Sequence, residues 1–374
     1  MRSLLNIWWL GLKELRSLCS DFVMVLFVAY AFTMAIYVQA TGTSNEVNNA
    51  SIAFVDEDDS ALSLEMMNAF YPPRFQRPAL IAAEDVEDAM DRGRFMFVVD
   101  IPPEFENDLR AQRQPEIQLN IDATAMQQAG IGSNYIKNIL NDRISSFMRR
   151  QDKVDNQPVR LVVRKMFNPN GTSAWFTSVV AIINQITLLT VVLTGAAVIR
   201  EREHGTLEHL LVMPLNSFEI ALAKVWANGL VILIATATSL YLVVHKTLAV
   251  PFAGSVPLWF AGVILYLFFA TALGIFLGTI ARSMAQFALL IILVIVVLQL
   301  LSGGSTPVES QPTWLQYLTF LLPSRHFVSF SQIIIYRGGG WNAVWQQFLI
   351  VAAVGVGFFY YSLTLFRKSI AVTK

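Results

Sequence analysis

Cysteine is nearly missing from this chain. Cys19 is the only one among 374 residues, which rules out an intramolecular disulfide and a cysteine-based metal site. Histidine is scarce as well, at four. Two of these, His204 and His209, flank acidic residues. A separation of five turns the second about 140° around a helix from the first, whereas a zinc-binding pair sits four apart with a glutamate after the first histidine. No metal site is expected. The dipeptide Gly-Lys occurs nowhere, so the Leu301-Ser302-Gly303-Gly304 run is not accompanied by a phosphate loop and does not mark a nucleotide-binding domain. Charge is thin too: 14% of residues are charged against 55% hydrophobic, and the mean hydropathy is +0.51, outside the ordinary soluble range. The 27 basic and 27 acidic residues cancel, with no basic surplus on one face to hold a phosphate backbone, so nucleic acid is not a partner.

What charge exists is unevenly placed. Of the charged residues, 34 fall within 41–175, and the rest of the chain is dominated by apolar runs. A helix needs about 20 apolar residues to cross the hydrocarbon core, and six runs qualify: 22–40, 176–199, 226–244, 257–280, 287–302 and 345–366. Arg2, Lys13 and Arg16 flank the first, Arg200, Arg202 and Lys224 the second and third, Arg282 the fourth and fifth, and Arg367, Lys368 and Lys374 the last. By the positive-inside bias these ends are cytoplasmic, which puts both termini inside and sends residues 41–175 outward. No ionisable side chain falls deep in any run, which speaks against proton-coupled transport and against a bare-ion channel.

Before the first run, Leu4, Leu5, Trp8, Leu12 and Leu15 recur at three- and four-residue spacing opposite Lys13 and Arg16. Residues 1–21 therefore read as an amphipathic helix at the membrane interface. Val38-Gln39-Ala40 has the small-x-small form of a signal cleavage site. The apolar run is longer than a signal core, however, and follows a leader containing Glu14 and Asp21, so it is read as a retained span.

Residues 41–175 alternate β-rich and helical stretches: SIAFV, a helix over 62–70, FMFVVDI, a helix over 102–111, EIQLNID, a long helix over 124–150, and VRLVVRKM. That alternation predicts an α/β or α+β domain inserted between the first two spans and large enough to bury its own core. Its long helix and last strand lead directly into the second span. Acidic clusters at 56–59 and 84–88 lack the alternating carboxylates, central glycine and closing glutamate of a calcium loop. Glu84, Glu87 and Asp88 instead suit the first turn of a helix.

The segment 200–225 is charged and helix-capable, wedged between two apolar runs. Pro214 ends one helix, and Asn216 with Glu219 three residues on forms a capping-box start for the next. Arg200, Glu201, Arg202, Glu203 and Glu208 supply ion-pair groups, while Leu207, Leu210 and Leu211 form an apolar ridge, a mixture suited to a protein interface. Glu201, Glu203, Gly205, Thr206, Glu208, Leu210 and Leu211 follow the pattern E-x-E-x-G-T-x-E-x-L-L. This resembles the first cytoplasmic loop of ABC-2 permeases of ATP-binding-cassette transporters, and the leader, single span, large outer domain and five further spans resemble the family throughout.

The resemblance implies an α-helical integral membrane protein of the bacterial inner membrane that catalyses no reaction itself. A separate cytoplasmic ATPase, holding ATP and magnesium, is implied to dock on the 200–225 loop and the leader helix. A second permease subunit, identical or paralogous, and in several systems a periplasmic adaptor complete the assembly. Permeases of this family also carry re-entrant helices near the outer surface, and 303–344 contains such a pair, 312–322 and 326–336. Asn184, Gln185, Asn228 and Gln299 are the polar side chains within spans that qualify for a pathway taking drugs or lipids; interhelical hydrogen bonding accounts for such residues equally well. The rival reading is a membrane sensor whose outer domain binds a ligand, and the eight residues after Phe366 leave little room for an output domain.

Overall fold

The computed structural model describes residues 2–42, 47, 49–122, 126–152, 167–168, 172–203 and 216–372. The chain divides into two compact units, Met1–Gly42 with Lys165–Lys374, and Thr43–Arg164.

The first unit is helical. An opening helix α1 (Arg2–Ser20) is followed by α2 (Phe22–Phe32), which Asp21 starts by accepting the Met24 N–H at 3.2 Å. The first apolar run is not one uninterrupted helix: it breaks at Thr33 and resumes as α3 (Met34–Gly42). After the other unit, the chain returns through α8 (Ser173–Glu203) and α9 (Ser217–Ser239), which continues as a wider π-helical stretch over Leu240–Thr247. There follow α10 (Val256–Ile280), α11 (Met284–Leu301), the short pair α12 (Thr313–Thr319) and α13 (Pro323–Ile335), and α14 (Trp341–Val372). Among the described residues six helices or broken helices are long and apolar enough to cross a membrane, and α12 and α13 meet at a 90° bend. The last of them extends several residues beyond each end of the expected run, because helix formation does not stop where hydropathy falls.

Helix α10 lies at the centre, packed by α8, α9, α13 and α14. Small residues make the closest approach possible. A Cβ on Gly278 of α10 would stand 2.9 Å from the Gly195 carbonyl of α8, and one on Gly274 would stand 2.9 Å from the Val191 carbonyl. Close backbone contact of this kind holds helices together where lipid removes the hydrophobic drive between them. Several polar groups in this core are paired, since an unpaired one in hydrocarbon costs several kcal/mol, whereas the hydroxyls of Thr236, Ser239 and Thr271 are buried with no hydrogen bond among the described residues. The Tyr266 hydroxyl and Thr187 Oγ1 lie 2.8 Å apart, and Trp259 Nε1 donates to Ser331 Oγ at 2.8 Å.

The second unit is an α/β layer. Strands β1 (Ile52–Asp56), β2 (Ala79–Leu80), β3 (Phe97–Ile101) and β4 (Gln118–Ile121) are ordered β2-β1-β3-β4. The first three are parallel and β4 runs antiparallel to β3. Helices α4 (Ala61–Met67), α5 (Val86–Asp91), α6 (Phe105–Arg110) and α7 (Met126–Asp152) are connected between and after the strands. Alternation in β1 separates two cores: Ile52 and Phe54 join Leu62, Phe97 and Ile136 on one face, and Ala53 and Val55 meet Val86 and Met90 on the other. Gly132 lets α7 come down onto Phe97, whose ring would lie 2.2 Å from any Cβ there.

The acidic residues of this unit serve its turns. Asp56 Oδ1 accepts the N–H groups of Asp58 (3.2 Å) and Asp59 (3.0 Å), and its Oδ2 accepts the Ser63 hydroxyl at 2.7 Å. Glu106 accepts the Leu62 N–H and an ion pair from Arg110. Burial would raise its carboxyl, but the Arg110 hydrogen bond and the Leu62 N–H outweigh that and hold it below its ordinary value. Glu87 and Asp88 occupy the first turn of α5, where the helix dipole favours them. The two-residue strand β2 is too short to stand out in the sequence. The expected strand VRLVVRKM, by contrast, lies outside the described residues.

Candidate functional site

The side of α1 that meets the protein coincides only in part with its apolar stripe, from which Trp8 makes contact. Leu4 and Leu5 are exposed, and Ile7, Gly11, Glu14 and Leu18, at three- and four-residue spacing along the adjoining face, pack inward. Ile7 and Gly11 seat the helix on α9. The Trp8 and Trp226 rings stack with centroids 5.0 Å apart, and Trp226 Nε1 donates to the Ile7 carbonyl at 3.0 Å. A Cβ on Gly11 would lie 2.1 Å from the Trp226 ring, so a glycine is needed for this close approach. At the start of α9, Asn216 N–H donates to Glu219 Oε2 at 3.2 Å, the expected capping contact, and Asn6 Nδ2 of α1 donates to the same oxygen at 3.3 Å.

One turn and a half further along α9, Lys224 reaches back into the joint between three helices. Its Nζ lies 3.1 Å from Glu14 Oε1 of α1 and 2.9 Å from Glu201 Oε1 of α8. The Lys224 side chain is 1% exposed, Glu14 15% and Glu201 12%. Lys224 is therefore not the solvated flank of a span that its position in the sequence suggests. It is a fully buried cation inside a helix, held by two carboxylates. Burial by itself would raise the Glu14 carboxyl; the adjacent Lys224 ammonium prevails and lowers it.

The charged residues at the end of α8 are largely engaged within the chain. Glu201 faces Lys224, and Arg200 NH1 stands 3.9 Å from Asp21 Oδ2, the N-cap of α2. The Arg202 guanidinium donates to the Thr279 carbonyl at 3.4 Å and to the Ala281 carbonyl. These are carbonyls at the end of α10 that lack helical N–H partners. Glu203 closes α8 and is exposed. Gly205, Thr206, Glu208, Leu210 and Leu211 lie outside the described residues, as do His204 and His209.

Of the pathway candidates, Asn228 is buried and its Nδ2 donates to Thr194 Oγ1 at 3.0 Å, an interhelical bond between α9 and α8. Asn184, Gln185 and Gln299 are half-buried on α8 and α11. These four positions are spread over α8, α9 and α11, so the structure gathers a charged joint where the sequence offered scattered polar positions. Glu14 and Asp21 were not singled out by sequence reasoning as functional. The available signal was a carboxylate in line with Ile7, Gly11 and Leu18 on one helical face.

Several of the described helix ends meet around this joint. Besides α1, α8 and α9, the turn after α10 is tied in through Arg202, and α14 contributes Phe359, Leu363 and Phe366 to a cluster with Val198, Ile220 and Ala221.

Comparison with known proteins agrees with this architecture. The model of the ABC-2 family transporter protein matches residues 17–364. The inner membrane transport permease YhhJ of Escherichia coli strain K12 is 51% identical over 370 residues, 99% of each chain. The probable multidrug ABC transporter permeases YbhR and YbhS of the same strain are 28% identical over 373 residues and 24% over 340, covering 98% and 88% of this chain. They cover 99% and 88% of those relatives' own lengths. With a match that takes in nearly the whole sequence, this chain belongs to the ABC-2 transporter family as a multi-pass inner-membrane transport subunit.

Proposed function

We propose that the chain is the membrane-spanning permease of an ATP-driven exporter. Two such subunits, identical or paralogous, form the pathway, and a separate cytoplasmic ATPase binds ATP and magnesium beneath them. The observation that carries this reading is the Lys224 joint, which links α1 to both ends of the segment bearing the E-x-E-x-G-T-x-E-x-L-L pattern. In this mechanism the ATPase docks on Glu203, which is exposed, and on Glu208, Leu207, Leu210 and Leu211 of the pattern. Nucleotide-driven closure displaces the end of α8, and Glu201, Lys224 and Glu14 carry that displacement to α1.

Convergence of Arg202, Lys224 and the Arg200–Asp21 pair at one end of the helical unit supports placing that end, and both termini, in the cytoplasm. The α/β unit then lies on the periplasmic side, where a periplasmic adaptor is a candidate partner. Amphipathic drugs or lipids suit a helical unit whose apolar runs hold few charged side chains away from this joint, and two relatives carry multidrug names.

The test is affinity purification of the tagged chain in mild detergent, with mass spectrometry of its companions and an ATPase assay. A cassette ATPase is expected to co-purify, and the Glu203→Lys, Glu208→Lys double variant is expected to lose it while still inserting. Glu201→Gln is expected to keep the ATPase bound but lower export. A chain that purifies alone without nucleotide hydrolysis, or full export in the triple variant at 201, 203 and 208, refutes the reading.

A further inference from the structure

The helical unit holds a polar hollow of about 410 Å³ where the turn after α11 meets α13 and the start of α8. The turn is the Ser302-Gly303-Gly304 run, which no phosphate loop accompanies in the sequence. Gly303 has φ +85°, the left-handed conformation that favours glycine, and a Cβ on Gly304 would stand 2.7 Å from Val180 Cγ1 of α8. Just after α13, Tyr336 ties that helix to α8, its hydroxyl donating to the Trp175 carbonyl at 2.6 Å.

Three charged side chains line the hollow: Arg325, Arg337 and Glu309. Unlike the charges of the Lys224 joint, these are not matched to one another: among the described residues none of the three forms an ion pair. Arg325 NH1 donates to the Gln316 carbonyl at 2.6 Å and to Thr319 Oγ1 at 2.9 Å, uncharged acceptors that fix the side chain and leave its charge uncompensated. Arg337 is exposed, and neither its guanidinium nor the Glu309 carboxylate makes a hydrogen bond among the described residues. Two cations against one carboxylate leave a surplus of one positive charge.

The depth of the hollow says which anion meets that surplus. Along α8, Phe176 of the hollow and Glu201 of the joint are 25 residues apart, about 38 Å at 1.5 Å per residue. The hydrocarbon core is roughly 30 Å thick. With the joint at one membrane surface, the hollow therefore stands at headgroup level on the other. Helix α12, which receives Arg325, marks the same level by exposing Trp314, Tyr317 and Leu318, aromatic and apolar groups suited to the membrane–water boundary. The anion that a bilayer presents there is the phosphate ester of its lipids, and guanidinium groups bind phosphate through paired N–H donors. At about 410 Å³ the hollow has room for a whole headgroup rather than a bare phosphate ion.

We propose that this hollow binds the phosphodiester headgroup of an anionic phospholipid. Arg337 and the remaining N–H groups of Arg325 hold the phosphate, and Glu309 limits the negative charge that the hollow accepts. Under the orientation proposed above, the lipid belongs to the periplasmic leaflet; its binding rests on neither that orientation nor the ATPase.

The experiment is native mass spectrometry of the full chain released from mild detergent, titrated with phosphatidylglycerol, with diacylglycerol of identical chains, and with soluble glycerophosphoglycerol. The first phosphatidylglycerol is expected to bind about tenfold more tightly than diacylglycerol, and Arg337→Gln to remove most of that preference. Glu309→Gln is expected to do the opposite, tightening phosphatidylglycerol about threefold, a gain that misfolding cannot produce. Both positions are exposed, so the melting temperature without added lipid is expected to stay unchanged in each variant. Diacylglycerol binding as tightly as phosphatidylglycerol, an undiminished preference in Arg337→Gln, or weaker phosphatidylglycerol binding in Glu309→Gln overturns the proposal. So does displacement of phosphatidylglycerol by an equal concentration of glycerophosphoglycerol, which would make the hollow a site for a soluble anion.

Discussion

Replacing Lys224 by methionine keeps an unbranched side chain only one atom shorter and removes its charge. Glu14 and Glu201 then face each other at 15% and 12% exposure with no cation between them. Removing one member of a buried ion pair costs about 3–5 kcal/mol, because the remaining charge is left desolvated. At about 1.4 kcal/mol per decade, that is a shift of roughly two to three and a half decades in whatever equilibrium separates α1 from α9. The assay uses the single cysteine. With Cys19→Ser as background and Ile7→Cys as reporter, maleimide labelling in membranes reads how often the α1 contact opens. Ile7 is 9% exposed, so labelling is expected to be slow in the parent and about 100-fold or more faster with Lys224→Met.

Two controls separate charge from packing in this test. Neutralising all three groups, with Glu14→Gln and Glu201→Gln added, is expected to restore slow labelling, since replacing a whole buried ionic cluster is often near neutral. The pH dependence has a defined sign. In the parent, the lowered Glu14 carboxyl contributes stability above the ordinary carboxylate range, lost only as pH falls through its depressed folded value, so labelling divided by that of a fully exposed cysteine at the same pH, which removes the change in thiolate fraction, is flat between pH 6 and 8. In Lys224→Met the paired carboxylates favour holding a proton, the folded value rises above the unfolded one, and labelling normalised to the exposed-cysteine reference slows as pH falls from 8 to 6. Unchanged labelling in Lys224→Met, or a triple variant no slower than the single one, refutes the joint as an electrostatic tie.

Other substitutions follow from the same packing. Gly278→Val is expected to force α10 from α8 and cost about 1–3 kcal/mol, read as a lower melting temperature in detergent, because even its Cβ would meet the Gly195 carbonyl at 2.9 Å. Trp226→Ala removes the Trp8 stack and the bond to the Ile7 carbonyl, a loss of roughly 2 kcal/mol from aromatic and hydrogen-bond terms. It is expected to raise Ile7→Cys labelling less than Lys224→Met does. Asp56→Ala deletes three hydrogen bonds at the β1–α4 turn and is expected to speed amide hydrogen exchange over residues 56–67 while leaving α8 to α10 unchanged.

Much of the architecture was legible because it is written locally. A run of about 20 apolar residues announces a span wherever it packs, and strands of β-branched and aromatic residues between helical stretches announce an α/β layer. The run at 51–55 overlaps a strand of the sheet that extends to Asp56, and the runs at 95–101 and 116–122 each contain one. The capping of α9 by Glu219 depends on residues three apart and was equally readable. The Thr33 break and the 90° bend between α12 and α13 give geometry to segments whose composition said only that they were apolar.

The sequence by itself determined which segments are apolar enough to enter a membrane, which carry the charge, and that the leader is amphipathic. It did not determine which side of the leader touches protein: periodicity marks the face that avoids water, and for a helix at an interface that face also suits lipid. Only the tertiary structure brought Glu14, Glu201 and Lys224 together. These residues are up to 210 positions apart, and no local pattern relates them. Their meeting depends on Gly11 admitting Trp226 and on the packing of α8, α9 and α10. The physical reason is that hydropathy and helical period are properties of a segment, whereas burial of a charge is a property of everything packed around it.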